Sequence, residues 1–363
     1  MTQLPLASKR ALIACGLLAA FAAVLLCVGY LWVGGDSVSS AAGENISQIQ
    51  RVLIISVDGL RPDLLLRART PHIRSLMERG AYSMWARTTE MSITLPSHTS
   101  MLTGVTPEYH RIFWNHYIEN FYPPVPTIFE LAHKVGLPDH RLTTGIVAGK
   151  IKFHELEKPG TVDYADVYQD REGSNLEVGQ SAADMIRHHS PQVMFVHLPD
   201  VDVAGHGKGW GTPDQIEAIE RADEAVGMIL DALKKKGLVQ STLIILSSDH
   251  GGQGGGHGPN DPRSRHIPWI VAGPGIRKNY DLTRFGSLVI NTEDTFATAC
   301  TLMHIPLPEY IDGKFVKQIV EPRDELLKDS TGSTDNSDLH AVDRWWEPPT
   351  YRWEPATMPS HHN

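Results

Sequence analysis

The sequence predicts a three-layer α/β/α fold around a mostly parallel central sheet, preceded by one transmembrane helix, and three observations carry that expectation. Short, branched, largely apolar runs at 52–57, 192–197 and 242–246 read as strands buried on both faces of a parallel sheet, and weaker runs at 146–148 and 267–272 join them. Helical patterns at 72–79, 96–102, 127–134, 178–188 and 213–236 separate these runs, and strand alternating with helix places helices on both faces of the sheet. An uncharged stretch from Ala11 to Gly35 comes before all of them and exceeds the roughly 20 apolar residues that span a bilayer.

In chain order, residues 1–10 carry Lys9 and Arg10, which the positive-inside rule keeps in the cytoplasm. Residues 11–33 then form a signal anchor, and everything beyond is extracytoplasmic, either periplasmic or extracellular. The competing reading is a cleaved signal peptide: Ser39-Ser40-Ala41 suits a cleavage site, although the apolar segment is longer than the usual core of roughly 7–15 residues. Residues 34–50 are rich in Gly, Ser, Ala and Asn and suit a flexible stalk. The catalytic domain is expected over 51–321, followed by a Pro/Trp-rich tail at 322–363. Cys15 and Cys27 fall in the apolar segment, which leaves Cys300 without a partner for an internal disulfide and reads it as a small buried hydrophobe.

A formal net charge of -9 and a pI near 6.0 give polyanions no global attraction. Nucleic acid is therefore excluded as a structural partner, and a phosphate-bearing ligand must be gripped locally. The 18 histidines direct the search toward metal sites.

Acids and histidines follow the strong strands. Run 52–57 ends in Asp58-Gly59, run 192–197 leads to Asp202 and His206, run 242–246 leads to Asp249-His250-Gly251, and a glycine-rich loop then brings His257. In such a sheet the carboxyl ends of the strands line one crevice. Each residue also has a plain reading by itself. Asp58 suits a turn or cap, Asp202 and His206 a surface pair on a loop that Gly205 and Gly207 favour over a helix, Asp249-His250 a polar turn, and His257 a hydrogen-bonded loop histidine. Together, three acids and three histidines in one crevice repel and desolvate one another unless a cation is present. Mixed carboxylate and imidazole donors suit zinc, and they exceed what one tetrahedral ion uses. Two zinc ions roughly 3.5–4 Å apart, as used for in-line displacement at phosphorus, are expected.

Thr94-Leu95-Pro96-Ser97-His98 opens a helix at Pro96, a position that proline favours. Thr94 is either the N-cap or, beside backbone N–H groups that attract anions, a nucleophile that also faces a metal.

The runs Val57-Asp58-Gly59-Leu60-Arg61-Pro62-Asp63, Thr94 to His98, Thr103-Gly104, Asp202-Val203-Ala204-Gly205-His206, Asp249-His250-Gly251, His257-Gly258 and Ala272-Gly273-Pro274-Gly275 resemble, in order and spacing, the motifs of the alkaline phosphatase superfamily. The nearest branch is type I phosphodiesterase/nucleotide pyrophosphatase. The resemblance spans Arg51 to Gly275 and implies an alkaline phosphatase-like fold. It gives one zinc to Asp202, His206 and His257, and the other to Asp58, Asp249 and His250 with Thr94 directed towards it. It makes Asn115, in Arg111-Ile112-Phe113-Trp114-Asn115, the residue that holds a phosphoryl oxygen together with the backbone N–H after the nucleophile. The implied activity is zinc-dependent hydrolysis of phosphodiester or pyrophosphate bonds in small phosphate esters, through a phosphothreonine intermediate. Two departures stand out: Phe113-Trp114 where smaller residues are frequent, and Ser97 where Asn is common. Phe113 and Trp114, with Tyr117, Phe121 and Tyr122, are candidate substrate-binding rings that stack a nucleobase, or else wall and core.

Within the superfamily, phosphomonoesterase, phosphonate hydrolase, sulfatase-like hydrolase and phosphoethanolamine-type transferase activities compete. A sulfatase would need a convertible Cys or Ser and a following Arg, which the stretch Thr94 to His98 lacks. A non-catalytic metal-binding surface protein would show a lost ligand or nucleophile, and none is lost. Neutral Asn115 as the oxygen-binding group predicts diesters over monoesters, with Arg111 and Lys208 the cations close enough in sequence to reverse that preference.

Overall fold

The computed structural model describes residues 46, 48–135, 141–169, 172–258 and 261–320. The expected anchor at 11–33 and the tail at 322–363 lie outside the described residues, as does most of the stalk. Among the described residues no helix is long and apolar enough to cross a membrane.

The strands are β1 (Arg51–Val57), β2 (Gly80–Arg87), β3 (Thr144–Ala148), β4 (Tyr164–Val167), β5 (Val193–Leu198), β6 (Thr242–Ser247), β7 (His266–Ala272) and β8 (Tyr280–Asp281). They form one sheet in the order β4-β3-β5-β1-β6-β7-β2-β8. β1 pairs parallel with β5 and β6, and β3 pairs parallel with β5 and β4. β7 departs from the parallel pattern, running antiparallel between β6 and β2. The expected strong runs are β1, β5 and β6, each within a residue of its expected bounds. β2, β4 and the two-residue β8 have no counterpart in the expected set. β2 reads Gly-Ala-Tyr-Ser-Met-Trp-Ala-Arg, with no β-branched residue, and β4 is an edge strand with two exposed residues among its four.

Side chains alternate across the sheet, and that alternation makes the two outer layers. Val52 and Ile54 of β1 enter a core with Phe129, Phe153, Trp269 and Phe296, whereas Leu53, Ile55 and Val57 enter the opposite core with Val178, Ala222, Val226 and Ile229. Helices Ile128–Lys134 and Asp294–Leu302 contribute to the first face, and Asn175–His188 and Pro213–Lys235 to the second. The helix starts follow from sequence: Thr127 with Glu130 and Ser174 with Glu177 form capping boxes, and Thr212 caps a helix whose first residue is Pro213. Cys300 is buried, as its apolar surroundings in the sequence imply.

Two local expectations change. The segment expected to be a loop around Gly205 and Gly207 is the helix Asp200–Lys208. Gly205 is there because Trp210 packs on it, and a Cβ at this position would lie 2.6 Å from the indole. The helix expected from Pro96 begins at Thr94 and runs to Thr103, with Ile93 as its cap residue.

Register brings the chemistry to one edge. A single line of paired residues crosses the sheet from Ala148 through His197 and Ser56 to Ser247. Two to five residues beyond that line, at the carboxyl ends of their strands, come Lys150, Asp202, Asp58 and Asp249.

Candidate metal centre

Asp58, Asp202 and Asp249 are all buried, and each has one bonded and one bare oxygen. Asp58 Oδ2 accepts from Lys150 Nζ at 2.9 Å and from His197 Nε2 at 2.8 Å, while its Oδ1 has no hydrogen-bond partner. Asp202 Oδ2 accepts from Lys150 Nζ at 2.6 Å and its Oδ1 is bare; Asp249 Oδ1 accepts from the Gly59 N–H at 3.1 Å and its Oδ2 is bare.

The bare oxygens face imidazole nitrogens. Asp202 Oδ1 lies 3.3 Å from His206 Nε2 and 3.8 Å from His257 Nε2. His250 Nε2 lies 3.4 Å from Asp58 Oδ1 and 3.2 Å from Asp249 Oδ2, and Thr94 Oγ1 is 3.4 Å from the same nitrogen. The Nδ1 of each histidine bonds a backbone carbonyl: His206 that of Gly255 at 3.1 Å, His250 that of Gly251 at 2.9 Å, and His257 that of Ser92 at 2.7 Å. A carbonyl only accepts, so the proton sits on Nδ1 and every Nε2 presents its lone pair to the carboxylates. Lone pairs aimed at bare carboxylate oxygens repel unless a cation lies between them, and this orientation of a histidine's far nitrogen is the one metal-ligating imidazoles use. The donor atoms of Asp202, His206 and His257 lie within 4.8 Å of one another, as do those of Asp58, Asp202 and His250. The residues present therefore fit metal ions, in two neighbouring clusters that meet at Asp202.

Titration behaviour has the same cause. Burial first, then the carboxylates of Asp58 and Asp202, push Asp249 well above the usual carboxyl range. Burial, followed by His257, takes His250 down to about 4. Burial would raise Asp58 too, but Lys150 and His197 hold it well below the ordinary value.

The family pattern for type I phosphodiesterase / nucleotide pyrophosphatase matches residues 52–256, more than half of the chain, and its span contains Asp58, Thr94, Asp202, His206, Asp249 and His250. The chain belongs to this family. An uncharacterized pyrophosphatase/phosphodiesterase of Schizosaccharomyces pombe is 29% identical over 232 residues, which cover 58% of this chain and 46% of that protein. Ectonucleotide pyrophosphatase/phosphodiesterase family member 1 of Mus musculus is 28% identical over 217 residues, 55% of this chain and 24% of that protein. The matched segment thus spans about half and about a quarter of these relatives' lengths. Among solved structures, an inactive murine ectonucleotide pyrophosphatase/phosphodiesterase 5 in complex with AMP superposes with a TM-score of 0.60 at 16% identity, over 75% of this chain and 100% of that one. The phosphonate monoester hydrolase of Agrobacterium radiobacter gives 0.57 at 16% identity, over 76% and 78%. These two likenesses show the shared three-layer fold.

Within this family member, Thr94 is the first residue of its helix, so its hydroxyl caps nothing and is left beside His250. Ser97 is occupied: it donates to the Asp249 carbonyl at 2.8 Å and lies 2.6 Å from the Thr88 hydroxyl. His98 is held between the Thr94 carbonyl at 2.8 Å and the Ser56 hydroxyl at 2.7 Å, which fixes the helix start to β1. Asn115 reaches the segment that begins at Thr94: its Oδ1 accepts the Leu95 N–H at 3.0 Å, so the two groups expected to hold a phosphoryl oxygen are bonded to each other. Phe113 is 44% exposed and lines a cavity of about 570 Å³ with Met91 and Glu293. Trp114 is turned into the wall: its Nε1–H donates to Glu155 at 3.2 Å and its ring meets Phe121 edge-on.

Sequence reading missed Lys150, Lys152 and His197. Arg111 and Lys208, the cations singled out from sequence, are exposed, whereas Lys150 joins Asp58 to Asp202 and Lys152 Nζ donates to Asn115 Oδ1 at 3.0 Å. The signal was present in Ala148-Gly149-Lys150-Ile151-Lys152, which follows β3 as the acids follow β1 and β6.

Proposed function

We propose that this chain hydrolyses phosphodiester or pyrophosphate bonds in small phosphate esters, with Thr94 as nucleophile and two zinc ions held by Asp202, His206 and His257 on one side and Asp58, Asp249 and His250 on the other. The observation that supports it most is the common orientation of the three histidines, whose Nε2 lone pairs meet bare carboxylate oxygens next to the Thr94 hydroxyl. When bound, zinc would supply Lewis-acid stabilisation of negative charge on oxygen and lower the pKa of hydroxyl groups and water.

The chain's own groups do the rest. Thr94 Oγ attacks phosphorus, a P–Oγ bond forms as the bond to the leaving oxygen breaks, and the leaving group departs with the electron pair and takes up the Thr94 proton. The Asn115 amide and the Leu95 N–H, freed from one another by a phosphoryl oxygen, bind the equatorial charge. Water then cleaves the phosphothreonine and restores the hydroxyl. Lys150 holds Asp58 and Asp202 in place through their outer oxygens. Residues 11–33 anchor this domain outside the cytoplasm, with 34–50 as stalk and 51–321 as catalytic domain, and the length of the uncharged stretch supports this.

Thr94→Ala decides the chemistry. Turnover of bis-p-nitrophenyl phosphate should fall at least about a thousandfold, with two zinc ions per chain by elemental analysis retained in the variant. Chelation should lower the melting temperature of both proteins, because metal affinity is coupled to folding. Near-normal turnover in Thr94→Ala, or active wild-type protein with one metal or none, would overturn the assignment.

A further inference from the structure

Asn115 is not the only group that reaches over Thr94. Lys152 Nζ donates to Asn115 Oδ1, the same oxygen that accepts the N–H of Leu95, the residue after Thr94. The two segments are fixed to each other at a second point. Glu155, on the helical turn Ile151–Leu156 that carries Lys152, is fully buried and accepts the Ile118 N–H at 2.7 Å and the Trp114 Nε1–H at 3.2 Å. Phe153 and Leu156 of that turn are buried in the core. Lys152 is thus held at Asn115 by packing.

The two neighbouring lysines differ in what neutralises them. Lys150 sits between Asp58 and Asp202 at 2.9 and 2.6 Å. Lys152 forms no ion pair with a carboxylate among the described residues, and its one bond here is to a neutral amide. Burial, and then the charge of Lys150, lower its pKa, and the carboxylates of Asp58, Asp202 and Asp249, none of them bonded to it, offset this only in part. An unneutralised ammonium with two hydrogens to spare, next to the groups expected to bind phosphoryl oxygen, is an anion site.

We propose that Lys152 binds a non-bridging phosphoryl oxygen beside Asn115 and gives this chain activity on phosphate monoester dianions in addition to diesters, an assignment that rests on the function proposed above. A diester monoanion spreads its charge over two free oxygens, and a neutral amide with a backbone N–H suffices for it. A monoester dianion brings a third free oxygen and a second charge, which needs a further cation. The reaction balances as R–O–PO₃²⁻ plus water giving R–OH and HPO₄²⁻: the P–OR bond breaks as P–Oγ forms on Thr94, the Thr94 proton ends on R–OH, and water then releases phosphate and returns the hydroxyl. This offsets the diester preference read from Asn115 alone, because the missing cation is supplied by the turn that follows β3.

The test uses the full-length zinc-loaded chain, with Lys152→Met and Lys152→Arg. kcat/KM is measured on p-nitrophenyl phosphate and bis-p-nitrophenyl phosphate, and inorganic phosphate binding by titration calorimetry. Wild type should hydrolyse both esters within about tenfold of each other. Lys152→Met should lower monoester kcat/KM by about thirtyfold or more and weaken phosphate binding comparably, with diester kcat/KM falling about threefold at most, and Lys152→Arg should recover most of the loss. Equal losses on both esters in Lys152→Met, or unchanged phosphate affinity, would reduce Lys152 to a support for Asn115 and overturn the inference alone. A wild-type chain inert on both esters would overturn the proposed function along with it.

Discussion

At the scale of single residues, buried charge is tolerated here only where a specific partner faces it, and Glu293 is instructive because it lies away from the proposed ligands. It is 6% exposed in the wall of the cavity beside Phe113. Burial above all, and then Asp294, Asp312 and Glu108, raise its pKa from 4.5 to about 7. Arg265 lines the same cavity. An acid whose folded pKa is raised binds more protons folded than unfolded between those values. Its contribution to stability is therefore full below 4.5, is lost as pH rises toward 7, and is constant above. At about 1.4 kcal/mol per unit the loss is of the order of 3 kcal/mol. Glu293→Gln should remove that slope, so urea unfolding at pH 5 and pH 7.5 should show a wild-type protein that weakens with pH relative to the variant. Parallel pH dependences in the two proteins would mean that Glu293 is ionised throughout.

At the scale of elements, the site depends on how closely β1 approaches the helix Asp200–Lys208. Gly59 adopts φ +75°, and a Cβ there would lie 2.9 Å from Asp202 Cα. Its N–H also fixes Asp249. A side chain at this position meets both a left-handed backbone and a backbone atom that cannot give way. Gly59→Ala should cost about 2–4 kcal/mol in urea unfolding and weaken zinc binding by shifting Asp202. Gly207 provides the contrast within the same helix, since a Cβ there meets nothing within 4 Å. Gly207→Ala should be neutral or stabilise by about 0.5–1 kcal/mol. A Gly59→Ala protein as stable and as metal-loaded as Gly207→Ala would show that the close approach is not required.

At the scale of the whole molecule, residues 11–33 and the tail lie outside the described residues. The membrane proposal therefore stands on the apolar stretch itself. In membranes from cells making the full chain, the protein should remain in the pellet on carbonate extraction and keep residues 11–33 at its N-terminus. A chain freed by carbonate, or a mature N-terminus near Ala42, would make the segment a cleaved signal peptide and the protein a secreted one. The negative net charge fits the proposal that anions are drawn by local cations, Lys152 and the proposed zinc ions.

The sequence by itself determined the strongly apolar strands β1, β5 and β6, the residues at their carboxyl ends, and the family motifs, because burial on both faces leaves a continuous apolar run, and Gly59 and Gly251 follow the acids after β1 and β6. It did not determine β2, β4 and β8, which are stabilised by pairing and not by their own composition. Nor did it show that Asp202 and His206 share one helix face, since the glycines between and beyond them lower helix propensity and only packing on Trp210 explains Gly205. The sharpest difference concerns charge. Sequence proximity pointed to Arg111 and Lys208, but the cations that touch the site are Lys150 and Lys152, brought by pairing of β3 with β5. Coulombic and hydrogen-bond partners are set by distance in space, and only the register of the sheet decides which residues from separate strands meet at its edge.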